Sequence, residues 1–259
     1  MVSALKGGDY MVYITGDRHG DFTDLKVDSM CGKYTEKDIV IILGDAGINY
    51  YVKQKRNAEE NLLQEEKKCR RLKEDIQGVV KATLFCVHGN HEARPECIEG
   101  YQKKKWHGGT VYYQKEYPNI LFAKDGEVYD FNGKKYIVIG GAYSVDKTYR
   151  LLCGYNWFKD EQPSDAIKKK VEARLEKEKW KMHGVLSHTC PYQYEPNELF
   201  LKEVDQDKVD KSTEKWLDII EKKLDYQVWC FGHYHGEKTI IQEDGRFIQM
   251  LYQYVDILE

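Results

Sequence analysis

The sequence predicts an α/β protein in which buried strands alternate with charged surface helices. Short runs of apolar, β-prone residues, such as 39–43 and 83–87, stop abruptly at polar turns that contain glycine. Between them lie segments rich in Lys and Glu, with apolar residues at helical spacing. A series of short strands separated by turn residues at about 108–140 is typical of an antiparallel β-meander. The sequence contains no convincing linker, so residues 1–259 are expected to form a single domain.

The composition excludes several classes of function. Acidic and basic residues are interspersed and the net charge is −3, so no overall field attracts nucleic acid or a membrane. Nucleic acid is therefore expected only as a substrate. No apolar run reaches the length of a membrane span, and the first nine residues lack the apolar core of a signal peptide. The seven scattered cysteines contain no Cys-x-x-Cys pair, which predicts reduced thiols and a cytoplasmic location.

The remaining elements follow from periodicity and turn residues. A long amphipathic helix is predicted from about residue 54 to 77, with Gly78 as its stop. Further helices are predicted at 165–182, after Pro163 and Ser164, and near 212–224. The basic cluster 103–106 is expected to be exposed, and Asn132-Gly133 predicts a hairpin turn. Two hairpin strands, 238–242 and 246–252, are expected to close the chain.

Two apolar runs end in turns that carry aspartate. After the run 11–15, Asp17 and His19 lie two residues apart, so both side chains point to the same side of an extended segment. A carboxylate and an imidazole on one side can share a metal ion, although a solvated turn with a capping Asp is the alternative. Asp45 follows the run 38–43 in the same way. It is either a further ligand or a helix N-cap, and its position favours a ligand.

Three further runs end in turns that carry histidine. The run 83–87 leads into Gly89-Asn90-His91-Glu92, where Asn90 offers a neutral oxygen to a metal and His91 an imidazole that can move a proton. The carboxyl ends of strands are where open α/β sheets bind ligands. Five of the eight histidines fall in such turns: His19, His91, His188, His233 and His235. The correlation predicts a joint metal site, whereas His88, His107 and His183 are expected to be structural.

The order of these motifs, Asp-x-His, Gly-Asp, Gly-Asn-His-Glu, His and Gly-His-x-His, resembles the calcineurin-like metallophosphoesterase superfamily. The resemblance runs from Asp17 to His235, which is most of the chain. It implies a four-layer fold in which two mixed β-sheets pack face to face with flanking helices. It also implies hydrolysis of phosphate mono- or diesters, with a phosphate ester as the partner molecule. The oligomeric state is left open.

The resemblance further implies a cofactor of two divalent metal ions, for which Mn, Fe and Zn are all suitable. The implied ligands of the first ion are Asp17, His19, Asp45 and His235. Those of the second are Asp45, Asn90, His188 and His233, so Asp45 bridges the ions. A bridging hydroxide would attack phosphorus in line. His91, implied to be a non-ligand, would stabilise the phosphoryl oxygen or protonate the leaving oxygen.

One departure from the family pattern concerns the grip on phosphate. In the phosphoprotein phosphatase branch, the Gly-Asp motif continues with an Asp that orients the catalytic His and an Arg that binds phosphate. Ile48 and Asn49 occupy those places, which weakens a serine/threonine protein phosphatase assignment. Candidates for substrate binding are Arg18, Asn49, Arg94 and Arg150, with a structural salt bridge as the alternative for Arg94. A non-catalytic interaction module on the same fold and a structural zinc protein are the weaker alternatives.

Overall fold

The computed structural model describes residues 10–54 and 62–258. Its strands in chain order are β1 (Val12–Thr15), β2 (Ile39–Ile42), β3 (Val52–Gln54), β4 (Leu63–Glu65), β5 (Thr83–Cys86), β6 (Gln102–Trp106), β7 (Gly109–Gln114), β8 (Tyr117–Ala123), β9 (Val128–Phe131), β10 (Lys134–Ile139), β11 (Gly184–Ser187), β12 (Val228–Phe231), β13 (Lys238–Ile241), β14 (Phe247–Met250) and β15 (Asp256–Ile257). The helices are α1 (Thr23–Met30), α2 (Lys67–Val79), α3 (Lys147–Cys153), α4 (Asp165–Lys177) and α5 (Ser212–Glu221). Within the described residues, no helix has the length and hydrophobicity needed to span a membrane.

The strands form two large mixed sheets and one small hairpin. The first sheet has the order β15-β1-β2-β5-β8-β7-β6, and its four strands β1, β2, β5 and β8 are parallel. The second sheet has the order β13-β14-β12-β11-β10-β9, with β14, β12, β11 and β10 parallel. Antiparallel strands complete both sheets at their edges. This mixed α/β architecture confirms the predicted fold class.

A shared apolar core holds the two sheets face to face. Ile39 and Ile41 of β2 pack in one cluster with Val138 of β10 and Leu186 of β11. Because successive strand residues point to opposite faces, every second side chain of β2 enters this core. Burial of each such side chain stabilises the folded state by about 1.5–3 kcal/mol.

The outer face of each sheet is covered by helices, which gives four layers. Val40 and Ile42 face away from the central core and pack with Leu25 of α1 and Ile76 of α2. The helices α4 and α5 cover the outer face of the second sheet through their apolar stripes. The cluster on that side includes Val171, Leu175, Leu217, Ile220, Ile137, Ile139, Val185 and Trp229.

The helix predicted at about 54–77 is partly wrong. It begins only at Lys67, because Leu63–Glu65 forms a strand that pairs antiparallel with Val52–Gln54. Residues 55–61 lie outside the described residues. Gly78 does not stop the helix, which continues to Val79. A short apolar pair such as 62–63 fits either a helix or a strand. Its pairing with β3 makes this segment a strand.

The helix predicted at 165–182 is correct at its start and too long at its end. The Ser164 side chain accepts a hydrogen bond from Ile167 N and caps the first turn. The helix ends at Lys177, and Lys179 and Trp180 then adopt positive φ angles of 58° and 54°. This left-handed turn redirects the chain towards β11.

The segment 108–140 is not one meander. The strands β7 and β8 belong to the first sheet, whereas β9 and β10 belong to the second. The chain therefore crosses between the sheets at 124–127, and two hairpins replace the predicted four-stranded unit. Asn132-Gly133 forms the predicted hairpin turn, with both φ angles positive. The basic cluster 103–106 is part of the edge strand β6, and its Trp106 stacks on Phe85 of the core.

Candidate metal centre

The polar turns that follow β1, β2, β5, β11 and β12 meet at the carboxyl ends of the parallel strands. Backbone hydrogen bonds tie them together: Arg18 N and His19 N both donate to Asp45 O, at 3.0 and 2.8 Å. Gly232 N donates to His188 O at 2.9 Å, which links the turns of the second sheet. Backbone hydrogen bonds alone therefore hold these turns together.

Two glycines in these turns are required because carboxylates approach their backbones closely. A Cβ atom at Gly89 would lie 2.0 Å from Asp45 Oδ1. A Cβ atom at Gly232 would lie 2.3 Å from Asp17 Oδ1. Nearby backbone amides donate to the same oxygens, His91 N to Asp45 Oδ1 at 2.7 Å and His233 N to Asp17 Oδ1 at 2.8 Å.

Four of the predicted metal ligands have a left-handed backbone. The φ angles of His19, Asp45, His233 and His235 are 46°, 45°, 70° and 52°. Such conformations are uncommon outside glycine and cost on the order of 1 kcal/mol or more each. Strain of this kind concentrates at functional sites, because there the direction of a side chain matters more than local stability.

Asp17, His19 and His235 form one group whose ligand atoms face each other. His235 Nε2 lies 3.2 Å from Asp17 Oδ2, and His19 Nε2 lies 3.7 Å from the same oxygen. The two imidazole Nε2 atoms are 2.9 Å apart. Burial opposes ionisation of Asp17, but the close contact with His235 and the neighbouring His188 and His19 outweigh it and lower its pKa to about 2. An ionised carboxylate and two imidazoles can hold a cation.

A second group contains Asp17, Asp45 and His188, with Asn90 beside it. His188 Nδ1 donates to the Leu43 carbonyl at 2.8 Å, which fixes the tautomer and leaves a lone pair on Nε2. That lone pair faces Asn90 Oδ1 at 2.7 Å, an oxygen that is itself an acceptor. A cation beside the two atoms would satisfy both as acceptors.

Contacts with neighbouring residues orient the ligand atoms of this group. Asn90 Nδ2 donates to Ser144 Oγ at 2.9 Å, so the amide oxygen is the atom turned towards His188. The ring of His233 lies 5.0 Å from that of His188. Burial and the neighbouring His188 lower the pKa of His233 to about 3, so its imidazole is neutral and can act as a ligand at neutral pH.

The carboxylates supply the strongest evidence that the site fits metal ions. Asp17 Oδ2 and Asp45 Oδ2 are both buried, and neither accepts a hydrogen bond of good geometry from the described residues. An ionised carboxylate oxygen in the interior is costly unless a cation balances it. The donor set of carboxylate, amide and imidazole therefore suits divalent ions. Asp17 is common to both geometric groups, whereas the bridging role was predicted for Asp45; that assignment stays a prediction.

His91 and Arg150 stand beside this centre. His91 Nε2 lies 4.0 Å from Asp45 Oδ2 and 3.5 Å from Arg150 Nη2. Burial and the Arg150 charge lower the pKa of His91 to about 3. Arg150 is held by Asp146 Oδ2 at 2.7 Å and by the Tyr50 hydroxyl at 3.2 Å. Of the predicted substrate-binding residues, Arg150 is the one whose guanidinium the structure brings to His91.

Two other predicted arginines are engaged in structural contacts. Arg18 is buried, forms an ion pair with Asp24 and donates to the Gln253 carbonyl at 3.1 Å. Arg94 is also buried and donates to Asp125 Oδ2 at 2.6 Å, which is the salt bridge considered as its alternative role. These partners take up part of each guanidinium group, whereas Arg18 Nε and Arg94 Nη2 have no hydrogen-bond partner among the described residues, and phosphate binding by either residue stays a prediction.

Asn49 also has a structural partner. Its side chain is fully buried, and its oxygen accepts a hydrogen bond from the Tyr101 hydroxyl at 2.8 Å. The neighbouring Ile48 is part of the apolar cluster beneath the first sheet. The departure from the phosphatase pattern at 48–49 is therefore built into the core, and the contact of Asn49 with phosphate stays a prediction.

A cavity of about 420 Å³ opens directly onto the centre. Its lining includes Asp45, Asn90, His91, His233 and His235 on one side. The rest of the lining comes from Tyr143, from the loop 195–211 and from the start of α5. Sequence reasoning missed the loop because it has neither periodicity nor a motif. Tyr143 follows the Gly140-Gly141 turn, which predicts that it lines the cleft, and the structure places it there.

Comparison with known proteins gives one strong match. The model of the calcineurin-like phosphoesterase family matches residues 10–237. No curated protein sequence matches the chain. Among solved structures, TT1561 of Thermus thermophilus is 11% identical with a TM-score of 0.47, over 93% of this chain and 88% of that one. A putative 5′-nucleotidase from Staphylococcus aureus is 14% identical with a TM-score of 0.44, over 93% of this chain and 48% of that one. Phosphopantetheinyl hydrolase from Mycobacterium tuberculosis is 13% identical with a TM-score of 0.40, over 96% of this chain and 91% of that one.

Proposed function

Since the chain belongs to the calcineurin-like phosphoesterase family, we propose that it is a hydrolase of phosphate esters that works with two divalent metal ions. The observation that carries this proposal is the pair of buried oxygens, Asp17 Oδ2 and Asp45 Oδ2, which lie among imidazoles and accept no hydrogen bond of good geometry from the described chain. Buried carboxylates in a merely structural cluster would be paired. Here their free lone pairs point to a cation as the missing partner.

The proposed ligands are those of the strand-end turns. One ion would be held by Asp17, His19, Asp45 and His235, and the other by Asp45, Asn90, His188 and His233. When bound, two such ions polarise a phosphoryl group and lower the pKa of a water molecule so that it becomes a nucleophile at neutral pH. Mn, Fe and Zn all accept this ligand set.

His91 and Arg150 would act on the substrate itself. Because Arg150 Nη2 lies only 3.5 Å from His91 Nε2, both side chains reach the same phosphoryl position. Arg150 would bind a phosphoryl oxygen through its N–H groups. His91, whose ring is neutral in the unliganded site, would donate a hydrogen bond to that group; protonation of the leaving oxygen would require the bound phosphate to raise the pKa of His91 first. Arg150 thereby takes the place of the arginine that the Gly-Asp motif lacks.

A protein phosphatase-like activity is the second candidate, because the Gly-Asn-His-Glu turn resembles that branch. The burial of Ile48 and Asn49 removes the usual phosphate contact, so we rank hydrolysis of small phosphate esters first. Monoesters and diesters use the same centre, and both belong in the test. The cytoplasmic location stays a prediction from cysteine usage.

The test compares wild-type protein with His91→Asn after loading with Mn. The substrates are an aryl phosphomonoester, an aryl phosphodiester and a phosphopeptide. Loss of the proton donor is expected to lower kcat by about 10²–10⁴-fold. Metal analysis should still find two ions per chain. His107→Asn is the matched control, because His107 contacts Tyr10 and the Asp130 carbonyl, outside the centre.

Three results would contradict the proposal. Unchanged turnover in His91→Asn would remove His91 from the mechanism. A single ion per chain in metal-replete protein would contradict the dinuclear centre. Absence of Mn-dependent hydrolysis of every substrate by the wild-type protein would contradict the enzymatic function itself.

A further inference from the structure

The cavity beside the metal centre has two chemically different ends. The end that faces the centre is lined by His91, Asn90 and Asp45, the groups proposed to act on phosphate. The other end carries a cluster of apolar side chains from the loop after β11: Leu199, Phe200, Leu201, Val204 and Val209. Its volume of about 420 Å³ is in the range of small-molecule sites.

The apolar end is built to remain open to a ligand. Phe200 lies nearly parallel to the ring of Tyr234, with an interplanar angle of 26° and a centroid distance of 6.1 Å. Leu199 and Leu201 remain 44% and 61% exposed, although they line the same cavity. Apolar side chains grouped at the wall of a cavity, and not packed into a core, favour an apolar partner.

Glu214 adds a polar group with an unused acceptor. Its side chain is almost completely buried, and Oε1 accepts a hydrogen bond from Thr189 Oγ1 at 2.9 Å. Oε2 has no hydrogen-bond partner within the part of the chain that the structure describes, and the residue lines the cavity. Burial raises the pKa of Glu214 to about 7, so the carboxyl group lacks the solvation that an exposed glutamate has.

The charges at this end disfavour an anionic ligand. Lys211 lines the cavity, but its ammonium group is paired with Glu195 at 2.8 Å. The pair contributes no net charge, which leaves Glu214 as the uncompensated group. A second phosphate placed here would meet a carboxyl group and, among the described residues that line this end, no unpaired cation.

We propose that this cavity binds the alcohol half of the phosphate ester. That half is a neutral or cationic, largely apolar group that donates a hydrogen bond to Glu214. The inference rests on the proposed function, because the phosphoryl group fixes the other end of the ligand. An aryl alcohol or a nucleoside belongs to this class. Polyphosphates and nucleic acid do not, because their further phosphates would lie against Glu214.

The experiment measures equilibrium binding of phosphonates to the Mn-loaded protein by calorimetry, which does not depend on turnover. Methylphosphonate reports the metal end alone, and benzylphosphonate adds the apolar group. Burial of the ring is expected to increase affinity about tenfold or more. A 4-aminomethyl substituent should strengthen binding further, and a 4-carboxylate should weaken it.

Three variants and one control assign these effects to residues. Phe200→Ala should reduce the preference for benzylphosphonate over methylphosphonate about tenfold, because the ring loses its aromatic neighbour. Leu201→Ser, at a mostly exposed position, carries the same test if Phe200→Ala does not fold. Glu214→Gln should reduce the discrimination between the amino and carboxylate ligands. Leu152→Ala is the control, because Leu152 is 83% exposed on α3 and does not line the cavity.

The outcomes separate this inference from the proposed function. Equal affinity for methylphosphonate and benzylphosphonate would overturn the apolar subsite while leaving the phosphoryl site intact. Unchanged discrimination in Glu214→Gln would overturn the role of Glu214. Failure of methylphosphonate to bind, together with absence of hydrolysis, would instead contradict the proposed function.

Discussion

Two buried polar clusters in this protein differ in whether their hydrogen bonds are complete. The first, here the Lys73 cluster, contains Lys73, Glu65, Tyr101 and Gln114. The Lys73 ammonium donates to Glu65, to the Tyr101 hydroxyl at 3.1 Å and to Gln114 Oε1 at 2.7 Å. Gln114 Nε2 donates to Glu65 Oε1 at 3.1 Å, which completes the network. Every donor of the ammonium group therefore has an acceptor.

In the metal centre, by contrast, the hydrogen bonds are incomplete. Asp17 Oδ2 and Asp45 Oδ2 accept no hydrogen bond of good geometry from the described residues, and His188 Nε2 faces the oxygen of Asn90. Acceptors outnumber donors, so the cluster is complete only with added positive charge. Burial of polar residues therefore does not by itself mark a ligand-binding site. The excess of acceptors distinguishes a ligand-binding cluster from a structural one.

The largest effect is expected in the Lys73 cluster. Lys73→Met leaves the buried Glu65 without its cation, which should lower the free energy of unfolding by about 3–5 kcal/mol. Urea denaturation followed by circular dichroism measures it. Lys26→Met is the matched control, because the Lys26–Asp75 pair lies at the surface, with side chains 24% and 54% exposed, and should contribute about 1 kcal/mol or less. Equal losses in the two variants would remove the distinction between a closed buried network and a surface pair.

The strand-end turns were predictable from sequence because their signals are local. Each apolar run and the turn that follows it are contiguous, and parallel strands bring such turns to one edge. The mixed fold and the placement of Asp17, Asp45 and His188 in one neighbourhood follow from this pattern. The left-handed backbone of four ligands could not be predicted, because no glycine or asparagine marks those positions.

Roles that depend on partner choice were not predictable. Arg18 and Arg94 look like phosphate ligands in sequence, but in the fold they pair with Asp24 and Asp125. Arg94 and Asp125 are brought together by the crossing of the chain between the sheets, which the predicted meander did not contain. Asn49 accepts a hydrogen bond from Tyr101 of the Lys73 cluster, which lies 52 residues away in sequence. Hydrogen-bond partners far apart in sequence leave no periodic trace.

The second effect concerns the excess of acceptors at the metal centre. Mn at about 100 times its dissociation constant should raise the free energy of unfolding by about 2.7 kcal/mol, because the ion binds the folded state. Thermal or urea unfolding with Mn and with a chelator measures the difference.

A matched pair of variants tests whether the open acceptors cause that stabilisation. Asp17→Asn removes a ligand and should abolish most of the increase. Asp38→Asn is the control: Asp38 is also a buried carboxylate, but its oxygens accept hydrogen bonds from Met11 N and Thr35 N. It should lower stability and retain the increase with Mn. If Mn stabilised Asp17→Asn as strongly as wild type, the acceptors of the centre would not be the metal site.

The smallest effect tests a residue that contacts a proposed ligand without being one. Ser144 Oγ accepts the hydrogen bond from Asn90 Nδ2 and thereby turns the amide oxygen towards His188. Ser144→Ala should weaken Mn binding by about 10–100-fold, because the amide loses the contact that fixes its orientation. Competition against a metal-binding dye measures the change. Ser29→Ala is the control, because the buried Ser29 hydroxyl bonds backbone groups at the end of α2. It should cost stability without changing Mn affinity. Equal Mn affinity in both variants would show that Asn90 needs no such support, and that the centre is held by its backbone turns alone.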